Sequence, residues 1–448
     1  MWALLRNGQV IDPFRDYTGT ADVLIAGGSV AALIDRCDRE RQSLRTILIQ
    51  LDLDERDGQV FDCSGFVICP GLIDIHVHLR EPGYEYKETI ATGARAAAAG
   101  GFTTVVAMPN TMPAVDNGAV VRYVLDRGRE TPIRVFTAGA ATKANNGAEM
   151  AEIADMVEAG AIALSDDAFP IQSADLMRRV MEYARMFNIP ILTHCEDKSM
   201  TQDAVMNEGL VCTILGLRPW PRQAEEIMIW RNILLADLTG CRVHIQHVTT
   251  RGGVEAVRWA KSRGIPVSCE TCPHYFSLTD EALLTFDTNA KCCPPLRTSD
   301  DVEALKEGLA DGTIDIIASD HAPHAQEEKE VEFQDAAFGI VGLETAVPIV
   351  ITNLVKTGTL TIEQAISKMT AAPAKLLGLS GGLAVGSAAD ITVLDPNCEV
   401  VINSSTFQSK GRNTPFDGWK LSGKVVATIV NGEIVSGELK TVPIEDCC

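Results

Sequence analysis

The chain has 448 residues, of which 46% are apolar and 22% charged, the composition of an ordinary globular protein with a large core. Its 39 basic and 60 acidic side chains give a formal net charge of −21, and no dense block of lysine or arginine occurs. Binding to nucleic acid or to an anionic membrane needs such a block, so neither partner is expected. An anionic small molecule would need a locally positive pocket.

The cysteines and the start of the chain bear on the compartment. Thirteen cysteines are scattered along the sequence, an odd number that favours reduced thiols over a disulfide framework. The first residues lack a basic segment followed by an apolar signal core, and no run of about 18 apolar residues offers a membrane span. We therefore expect a soluble, cytoplasmic protein.

Both ends of the chain are predicted to form short β-strands joined by tight turns. One Asn-Gly pair begins at Asn7 in "LLRNGQVID", and a second begins at Asn431 in "ATIVNGEIV". Such a pair between alternating apolar residues is a strong hairpin signal, because both residues tolerate a positive φ. We predict that residues 1–68 and 384–448 are the two halves of one small β-sandwich domain.

The middle of the chain, residues 69–383, alternates apolar strand-like runs with amphipathic helical stretches. The strand-like runs are "GLIDIHVH", "FTTVVAMPN", "PIRVFTAG", "GAIALSDD", "IPILTHCE", "RVHIQHVT", "GIPVSCET" and "TIDIIASDH". Repeated βα units predict a parallel sheet covered by helices, and eight of them predict a TIM-type (β/α)8 barrel. An open doubly wound sheet is the alternative, disfavoured because no glycine-rich phosphate loop follows the first strand.

The first of these runs carries two histidines, His76 and His78, at alternate positions. Alternate side chains of a strand leave the same face, and at the carboxyl end of a barrel strand that face lines the mouth of the barrel. Two imidazoles there are explained by a bound metal ion. The alternative is a pair of histidines whose ring nitrogens are satisfied by hydrogen bonds within the protein.

Other predicted strand ends favour the metal. Seven of the eight histidines fall at such ends, and only His274 lies outside them. The residues at the later strand ends are His194, His244, His247, Asp320, His321 and His324. A set of histidines and carboxylates without paired cysteines suits Zn²⁺ or a similar divalent ion.

His244 and His247 stand three residues apart in one predicted strand. Residues at that spacing face opposite sides of a strand, so only one of them is expected to look into the barrel. We assign that place to His247, since "HVT" marks the end of the strand. His244 is predicted to be a packing or hydrogen-bonding residue.

Eight motifs, in order along the chain, carry a resemblance to a known family. They are "DIHVHLREPG", "GGFTTVVAMPNT", "SDD", "HCED", "HVTT", "PPLR", "SDHAPH" and "FGIVGLETA". Together, from about residue 5 to about residue 435, they resemble the type I dihydroorotases of the amidohydrolase superfamily. The resemblance implies a metal-dependent barrel with a small β domain. It also implies reversible interconversion of N-carbamoyl-L-aspartate and L-dihydroorotate in pyrimidine biosynthesis.

The resemblance also implies a role for each matching residue. His76 and His78 match the family's first-metal pair, and His194 and His247 match its second-metal pair. Asp320 matches the last-strand aspartate, which is both a metal ligand and the general base and acid. The implied cofactor is a pair of zinc ions in each subunit.

The bridging ligand separates the branches of the family. Hydantoinases, allantoinases and type II dihydroorotases place a carboxylated lysine at the end of the fourth strand, whereas "GAIALSDDAF" contains none. Asp167 matches the type I aspartate, so the zinc ions are expected to be bridged by Asp167 and a hydroxide. Asp166 is expected to support the site from behind, and an N-cap pair is the alternative for both residues.

Four residues match the family's substrate contacts: Arg80, Asn110, Cys293 and His324. Arg80 can hold a carboxylate in a bidentate manner, which would supply the local positive charge that an acidic protein needs for an anionic ligand. Family members commonly read Asn-Pro-Pro-Leu-Arg where this chain reads "CCPPLR". Cys293 thus replaces an asparagine that contacts the ring, and a thiol is a weak hydrogen-bond partner.

The hypothesis for the reaction is attack of the shared hydroxide on the ring amide, with Asp320 passing a proton to the ring nitrogen. A hydantoin- or allantoin-hydrolysing enzyme is the second hypothesis, disfavoured by the missing lysine. The third is a non-catalytic subunit that scaffolds aspartate transcarbamoylase. Such homologues lose metal ligands, whereas this chain retains all of them. The expected partners are the small-molecule substrate, a second copy of the chain and, as a further candidate, the transcarbamoylase.

Overall fold

A computed structural model describes residues 1–35, 38 and 43–443 of the chain. Segments from both ends form one mixed sheet of nine strands. Its strands are Trp2–Asp12, Tyr17–Ala26, Ser29–Asp35, Gly58–Asp62, Val67–Pro70, Ile391–Val401, Lys420–Val430, Glu433–Gly437 and Thr441–Val442. The antiparallel pair of Val67–Pro70 with Ile391–Val401 joins the two ends of the chain, as the sequence predicted.

The two Asn-Gly pairs have different structures. The second forms the predicted hairpin, since Asn431 and Gly432, at φ 49° and 81°, join two antiparallel strands. The first hairpin prediction is wrong, because Asn7 (φ 64°) lies in a bulge within the continuous strand Trp2–Asp12. At the bulge this strand changes its parallel partner from Gly58–Asp62 to Val67–Pro70. A bulge of this kind lets a strand turn a corner between two layers of sheet.

The middle of the chain forms eight parallel strands in sequential order, which confirms the predicted barrel. These strands are Leu72–Val77, Phe102–Ala107, Arg134–Ala140, Ala163–Ser165, Ile191–Thr193, Val243–Ile245, Val267–Thr271 and Ile316–Ile317. The first and last of them meet through a bridge between Val77 and His321, where the amide of His78 donates to the His321 carbonyl at 2.8 Å. The barrel therefore closes next to the predicted metal ligands.

Helices cover the outside of the barrel and connect its strands. The helices are Leu44–Gln50, Ile90–Ala99, Gly118–Arg129, Ile153–Glu158, Ala174–Met186, Leu210–Leu215, Gln223–Thr239, Arg251–Ser262, Ser299–Ala310, Gln326–Lys329, Ala346–Val350, Ile362–Lys368 and Ala371–Leu377. A π-helix spans Ile351–Val355, and a small two-stranded sheet pairs Met206–Asn207 with Pro219–Trp220. Among the described residues, none of the helices has the length and apolar character needed to cross a lipid bilayer.

The nine-stranded sheet packs on the barrel through the alanine-rich helix Ile90–Ala99. Short side chains on this helix let the sheet approach closely, and Thr428 Oγ1 donates to the Ala98 carbonyl at 2.6 Å. Nearby, Thr392 Oγ1 donates to the Gly101 carbonyl, also at 2.6 Å. The domain boundaries at residues 68 and 384 stay a prediction.

Candidate metal centre and substrate cavity

The end of the first barrel strand brings His76 and His78 to the mouth of the barrel. Both side chains are buried, and both direct Nε2 towards Asp320 from the last strand. His78 Nε2 lies 3.2 Å from Asp320 Oδ1, and His76 Nε2 lies 3.5 Å from the same oxygen. Burial opposes the charge of Asp320, but the positive charge of His76 and the contact with His78 hold its pKa at about 2.

Asp167 lies between this histidine pair and a second one. Its carboxylate oxygens are 3.5 Å from His78 Nε2, 3.3 Å from His194 Nδ1 and 3.6 Å from His247 Nε2. The ring nitrogens of His194 and His247 converge to 2.8 Å from one another. Burial alone would raise the pKa of Asp167, yet its hydrogen bonds with these histidines and His76 hold that pKa well below the ordinary value.

The donor atoms fit a pair of divalent cations. Asp167 Oδ2 is buried and has no hydrogen-bond partner in the described part of the chain. One group of ligand atoms belongs to His76, His78 and Asp167, a second to Asp167, His194 and His247, and the atoms of each group lie within 4.8 Å of one another. A carboxylate shared by two histidine pairs could contribute oxygen ligands to divalent cations held there.

Asp166 supports the loop that carries Asp167. Its two carboxylate oxygens accept the backbone N–H groups of His194, at 3.0 Å, and Ile171, at 2.9 Å. Burial raises the pKa of Asp166 to about 6 despite these hydrogen bonds. It therefore holds the fourth and fifth strand ends together and does not point into the centre, as the sequence predicted.

Hydrogen bonds orient both imidazoles of the first pair. His78 Nδ1 lies 2.9 Å from Asn110 Oδ1, so the amide oxygen accepts the ring N–H and Nε2 faces Asp320. His76 Nδ1 lies 2.5 Å from Oε1 of Glu270, a fully buried carboxylate at the end of the seventh strand. Sequence reasoning missed Glu270, although its place at a predicted strand end, in "SCETC", is the same signal that identified the histidines.

The structure corrects the prediction that His244 and His247 face opposite sides. His244 Nε2 lies 3.1 Å from Glu270 Oε2, so its ring lies inside the barrel beneath His76. The strand Val243–Ile245 ends before His247, whose φ of 34° breaks the alternation of an extended strand. His244 is a hydrogen-bonding residue, as predicted, but it reaches its partners within the barrel.

His274 also lies nearer the centre than the sequence indicated. Its ring is buried, and its donor atom falls within 4.8 Å of those of Cys272 and Asp320. His274 Nε2 has no hydrogen-bond partner among the described residues, and burial lowers the pKa of this imidazole to about 4. A neutral imidazole thus stands behind Asp320.

A cavity of about 600 Å³ opens above the proposed ligands. Its lining includes all four predicted substrate contacts, which are Arg80, Asn110, Cys293 and His324. Arg80 Nη2 lies 3.3 Å from His324 Nε2, and Arg80 Nε donates to the Pro323 carbonyl at 3.2 Å. The guanidinium group supplies positive charge at the rim of a cavity whose floor is acidic.

Cys293 occupies the side of the cavity next to the second histidine pair. Its Sγ lies 3.8 Å from His194 Nε2, and burial raises the pKa of the thiol. The same His194 nitrogen is 3.1 Å from Glu196 Oε2, which also accepts from Lys198 Nζ at 2.5 Å. Cys293 therefore faces the cavity as a neutral thiol.

Phe338 and Gly339, the first two residues of the "FGIVGLETA" motif, form another part of the cavity wall. Two buried lysines hold it in place. Lys329 Nζ donates to the carbonyls of Ala337, at 2.7 Å, and Gly339, at 3.1 Å. Lys291 Nζ lies 4.4 Å from the centroid of the Phe338 ring. The side chains of Lys329 and Lys291 thus hold the loop around Phe338 in place.

Comparisons with protein families agree with this arrangement. A family model described as "Dihydro-orotase-like" matches residues 65–253, and one described as "Amidohydrolase family" matches residues 294–436. A solved structure with a similar fold is the L-hydantoinase (dihydropyrimidinase) of Arthrobacter aurescens, with a TM-score of 0.83 and 27% identity over 98% of this chain and 97% of that one. The barrel is that of an amidohydrolase.

Curated relatives narrow this class. A dihydroorotase of Pelotomaculum thermopropionicum is 50% identical over 436 residues, which cover 97% of this chain and 98% of the relative. A dihydroorotase of Thermoanaerobacter sp. (strain X514) is 49% identical over 435 residues, 97% of each chain. The chain therefore belongs to the dihydroorotase family.

Proposed function

We propose that the protein is a zinc-dependent dihydroorotase that interconverts N-carbamoyl-L-aspartate and L-dihydroorotate. The observation that carries this proposal is Asp167, a buried carboxylate shared by two converging histidine pairs on the floor of the cavity. Membership of the dihydroorotase family supports the choice of substrate.

His76, His78 and Asp320 would hold one zinc ion, and His194 and His247 the other, with Asp167 between them. Zinc ions bound there would supply a nucleophile at neutral pH and stabilise the negative charge that develops on the attacked carbonyl oxygen. Asn110 fixes the ring of His78 by accepting its Nδ1–H, so that Nε2 would be directed towards a bound ion. Asp166 keeps the fourth and fifth strand ends at the spacing that this arrangement needs.

Asp320 moves the proton. In ring opening, water adds to the ring amide carbon and gives a proton to the Asp320 carboxylate, whose low pKa leaves it ionised before the reaction. The carbon–nitrogen bond then breaks, and the leaving ring nitrogen takes that proton from Asp320. In ring closure the same steps run backwards, so the ureido nitrogen attacks the carboxyl carbon and water leaves.

Arg80 and His324 would bind the carboxylate that stays outside the ring. Both line the cavity beside Asp320, and the guanidinium of Arg80 can pair with an anion in a bidentate manner. The asparagine amide of Asn110 and the thiol of Cys293 would contact the ring. This arrangement explains how a protein of net charge −21 binds an anionic substrate.

Hydrolysis of hydantoins or allantoin is not favoured, although a hydantoinase shares the fold. The fourth strand end offers Asp167 and no lysine. The direct test is to measure turnover of L-dihydroorotate, hydantoin and allantoin by one purified sample whose zinc content is also measured. The proposal predicts turnover of L-dihydroorotate alone, with about two zinc ions per chain. Turnover of hydantoin in preference to dihydroorotate would contradict it.

We further propose a cytoplasmic location and a homo-oligomeric enzyme, with aspartate transcarbamoylase as a candidate partner. Ten described cysteines are free thiols, which suits a reducing compartment. Light scattering of the purified chain would measure the oligomer, and co-purification with the transcarbamoylase would test that association. A monomer at micromolar concentration would contradict the first of these expectations.

A further inference from the structure

Glu270 is a fully buried carboxylate that faces two imidazoles at once. Its Oε1 lies 2.5 Å from His76 Nδ1, and its Oε2 lies 3.1 Å from His244 Nε2. Glu270 is therefore an acceptor for both rings.

The hydrogen-bond partners of each imidazole indicate which ring nitrogen carries a proton. Ser268 Oγ lies 2.8 Å from His244 Nδ1. A carboxylate only accepts hydrogen bonds, so His244 must donate from Nε2, and a neutral His244 then accepts the serine hydroxyl at Nδ1. His76 must likewise carry its proton on Nδ1. A histidine that binds a metal ion is neutral, so with its proton on Nδ1 the lone pair of His76 would be on Nε2, the atom that lies 3.5 Å from Asp320 and 3.8 Å from Asp167.

Among the described residues, the other neighbour of His76 Nδ1 is an amide that cannot give the ring this tautomer. The amide of Gln246 approaches the same ring, with Nε2 at 3.2 Å from His76 Nδ1. An amide –NH₂ group only donates, so it cannot accept the proton on Nδ1. The Gln246 side-chain oxygen is already occupied by the hydroxyl of Ser165, at 3.2 Å. Glu270 is thus the acceptor that holds the His76 proton.

We propose that Ser268, His244 and Glu270 form a positioning relay that fixes the orientation and tautomer of His76 and so sets how tightly the first cation is held. The ring of His244 has its hydrogen-bond partners in Ser268 and Glu270, and it acts on His76 through Glu270. The relay rests on the proposed function only in taking His76 as a ligand of a divalent cation. Partners of this kind around metal-binding histidines raise the basicity of the ligand.

The test measures zinc affinity of the full-length holoenzyme by competition with a chelator, with cobalt substitution as a second readout. Glu270→Gln is expected to weaken binding of one of the two ions by about 10- to 100-fold, with the other ion unaffected. The visible spectrum of the cobalt-substituted enzyme is expected to shift, since the field of one ligand changes. Unchanged affinity for both ions would overturn the proposal.

A double-mutant cycle separates a relay from general damage. His244→Gln alone is expected to weaken the same ion by less than Glu270→Gln does. Because His244 acts through Glu270, adding His244→Gln to Glu270→Gln should cause no further loss. Equal losses from His244→Gln in both backgrounds would show that His244 acts independently, which contradicts the relay.

Two more variants keep the test decisive. Ser268→Ala removes one hydroxyl, and a small loss of zinc affinity for the same ion is expected. If Glu270→Gln does not fold, unchanged affinity in both Ser268→Ala and His244→Gln overturns the proposal. Asp301→Asn is the matched control, because Asp301 is a fully buried carboxylate that caps the helix Ser299–Ala310. It should reduce stability and leave both zinc affinities unchanged. Since zinc is measured directly, a lack of dihydroorotate turnover would contradict the proposed function and not the relay.

Discussion

The floor and the walls of the cavity are built in different ways. Floor residues stand at or just past the ends of short buried strands, and their rings and carboxylates are braced by fully buried groups such as Glu270. The walls are loop segments, in which Arg80 Nε donates to the Pro323 carbonyl and Lys329 Nζ donates to the Gly339 carbonyl next to Phe338. Strand ends position atoms more rigidly than loops do. We therefore expect floor substitutions to change metal binding and kcat, and wall substitutions to change KM.

The largest expected effect comes from the floor. Asp320→Asn removes the proton acceptor but keeps an oxygen atom at the same place. Turnover of L-dihydroorotate is expected to fall by about 10²- to 10⁴-fold, the range for loss of a general base. Steady-state kinetics with zinc content measured on the same sample tests this. Near-normal turnover with intact zinc would show that another group moves the proton.

The second-largest expected effect comes from a substitution in the cavity wall. Arg80→Met removes the cation on the rim, and KM for L-dihydroorotate is expected to rise by about 10- to 150-fold, from the 1.5–3 kcal/mol of a hydrogen bond to a charged group. The zinc content should not change. Arg258→Met is the control, since Arg258 pairs with Asp311 at the protein surface. A fall in kcat with an unchanged KM would assign Arg80 to the chemistry instead.

Substitution of Lys329 tests whether the hydrogen bonds that hold the loop around Phe338 affect stability and substrate binding. Lys329→Met removes hydrogen bonds to the carbonyls of Ala337 and Gly339, and the free energy of unfolding is expected to fall by about 1–3 kcal/mol. KM should rise with little change in kcat, because Gly339 lines the cavity. Lys356→Met, at an exposed lysine that contacts Asn397, is the control. An unchanged KM would mean that the wall does not need this fastening.

The same lysine gives a dependence on pH. Burial lowers the pKa of Lys329 to about 7. The unfolded chain, with an ordinary lysine pKa of about 10.4, binds this proton more tightly than the folded protein does. Stability of the wild type relative to Lys329→Met is therefore expected to rise as the pH increases from about 7 to 10. Urea midpoints of both proteins at the two ends of this range would measure the difference, and a fall would contradict it.

The smallest expected effect is at Cys293. Cys293→Asn offers the ring a stronger hydrogen-bond partner, so KM for L-dihydroorotate is expected to fall by about two- to twelvefold, from 0.5–1.5 kcal/mol. Cys293→Ala separates this gain from a change in volume. If the asparagine variant binds no better than the alanine variant, the residue at this position makes no useful contact with the ring.

The barrel could be predicted from the sequence because its strands are buried on both faces and therefore form continuous apolar runs. All eight predicted strands are present. His76 and Asp320 could be placed in one cluster for the same reason, since strand ends of a parallel barrel meet at one rim. These conclusions depend on local patterns, which a sequence states directly.

Other features depend on contacts between distant residues. The Asn-Gly pair at Asn7 forms a bulge because Gly8 lies against Ile68, a neighbour 60 residues along the chain that leaves no room for a side chain. The dipeptide suits a bulge and a turn equally well, and only the long-range pairing decides between them. Glu270 and His244 were missed as braces of His76 for a similar reason. Their role exists only where the sixth, seventh and first strands meet.

The bridge between Val77 and His321 gives the barrel a seam at which its beginning and end are joined by few hydrogen bonds. A cation held by His78 on one side and Asp320 on the other would act as a clasp across that seam. Binding of zinc would then also link the first strand of the barrel to the last. Removing zinc with a chelator is expected to speed hydrogen exchange at the amide of His78 before it affects strands on the far side of the barrel.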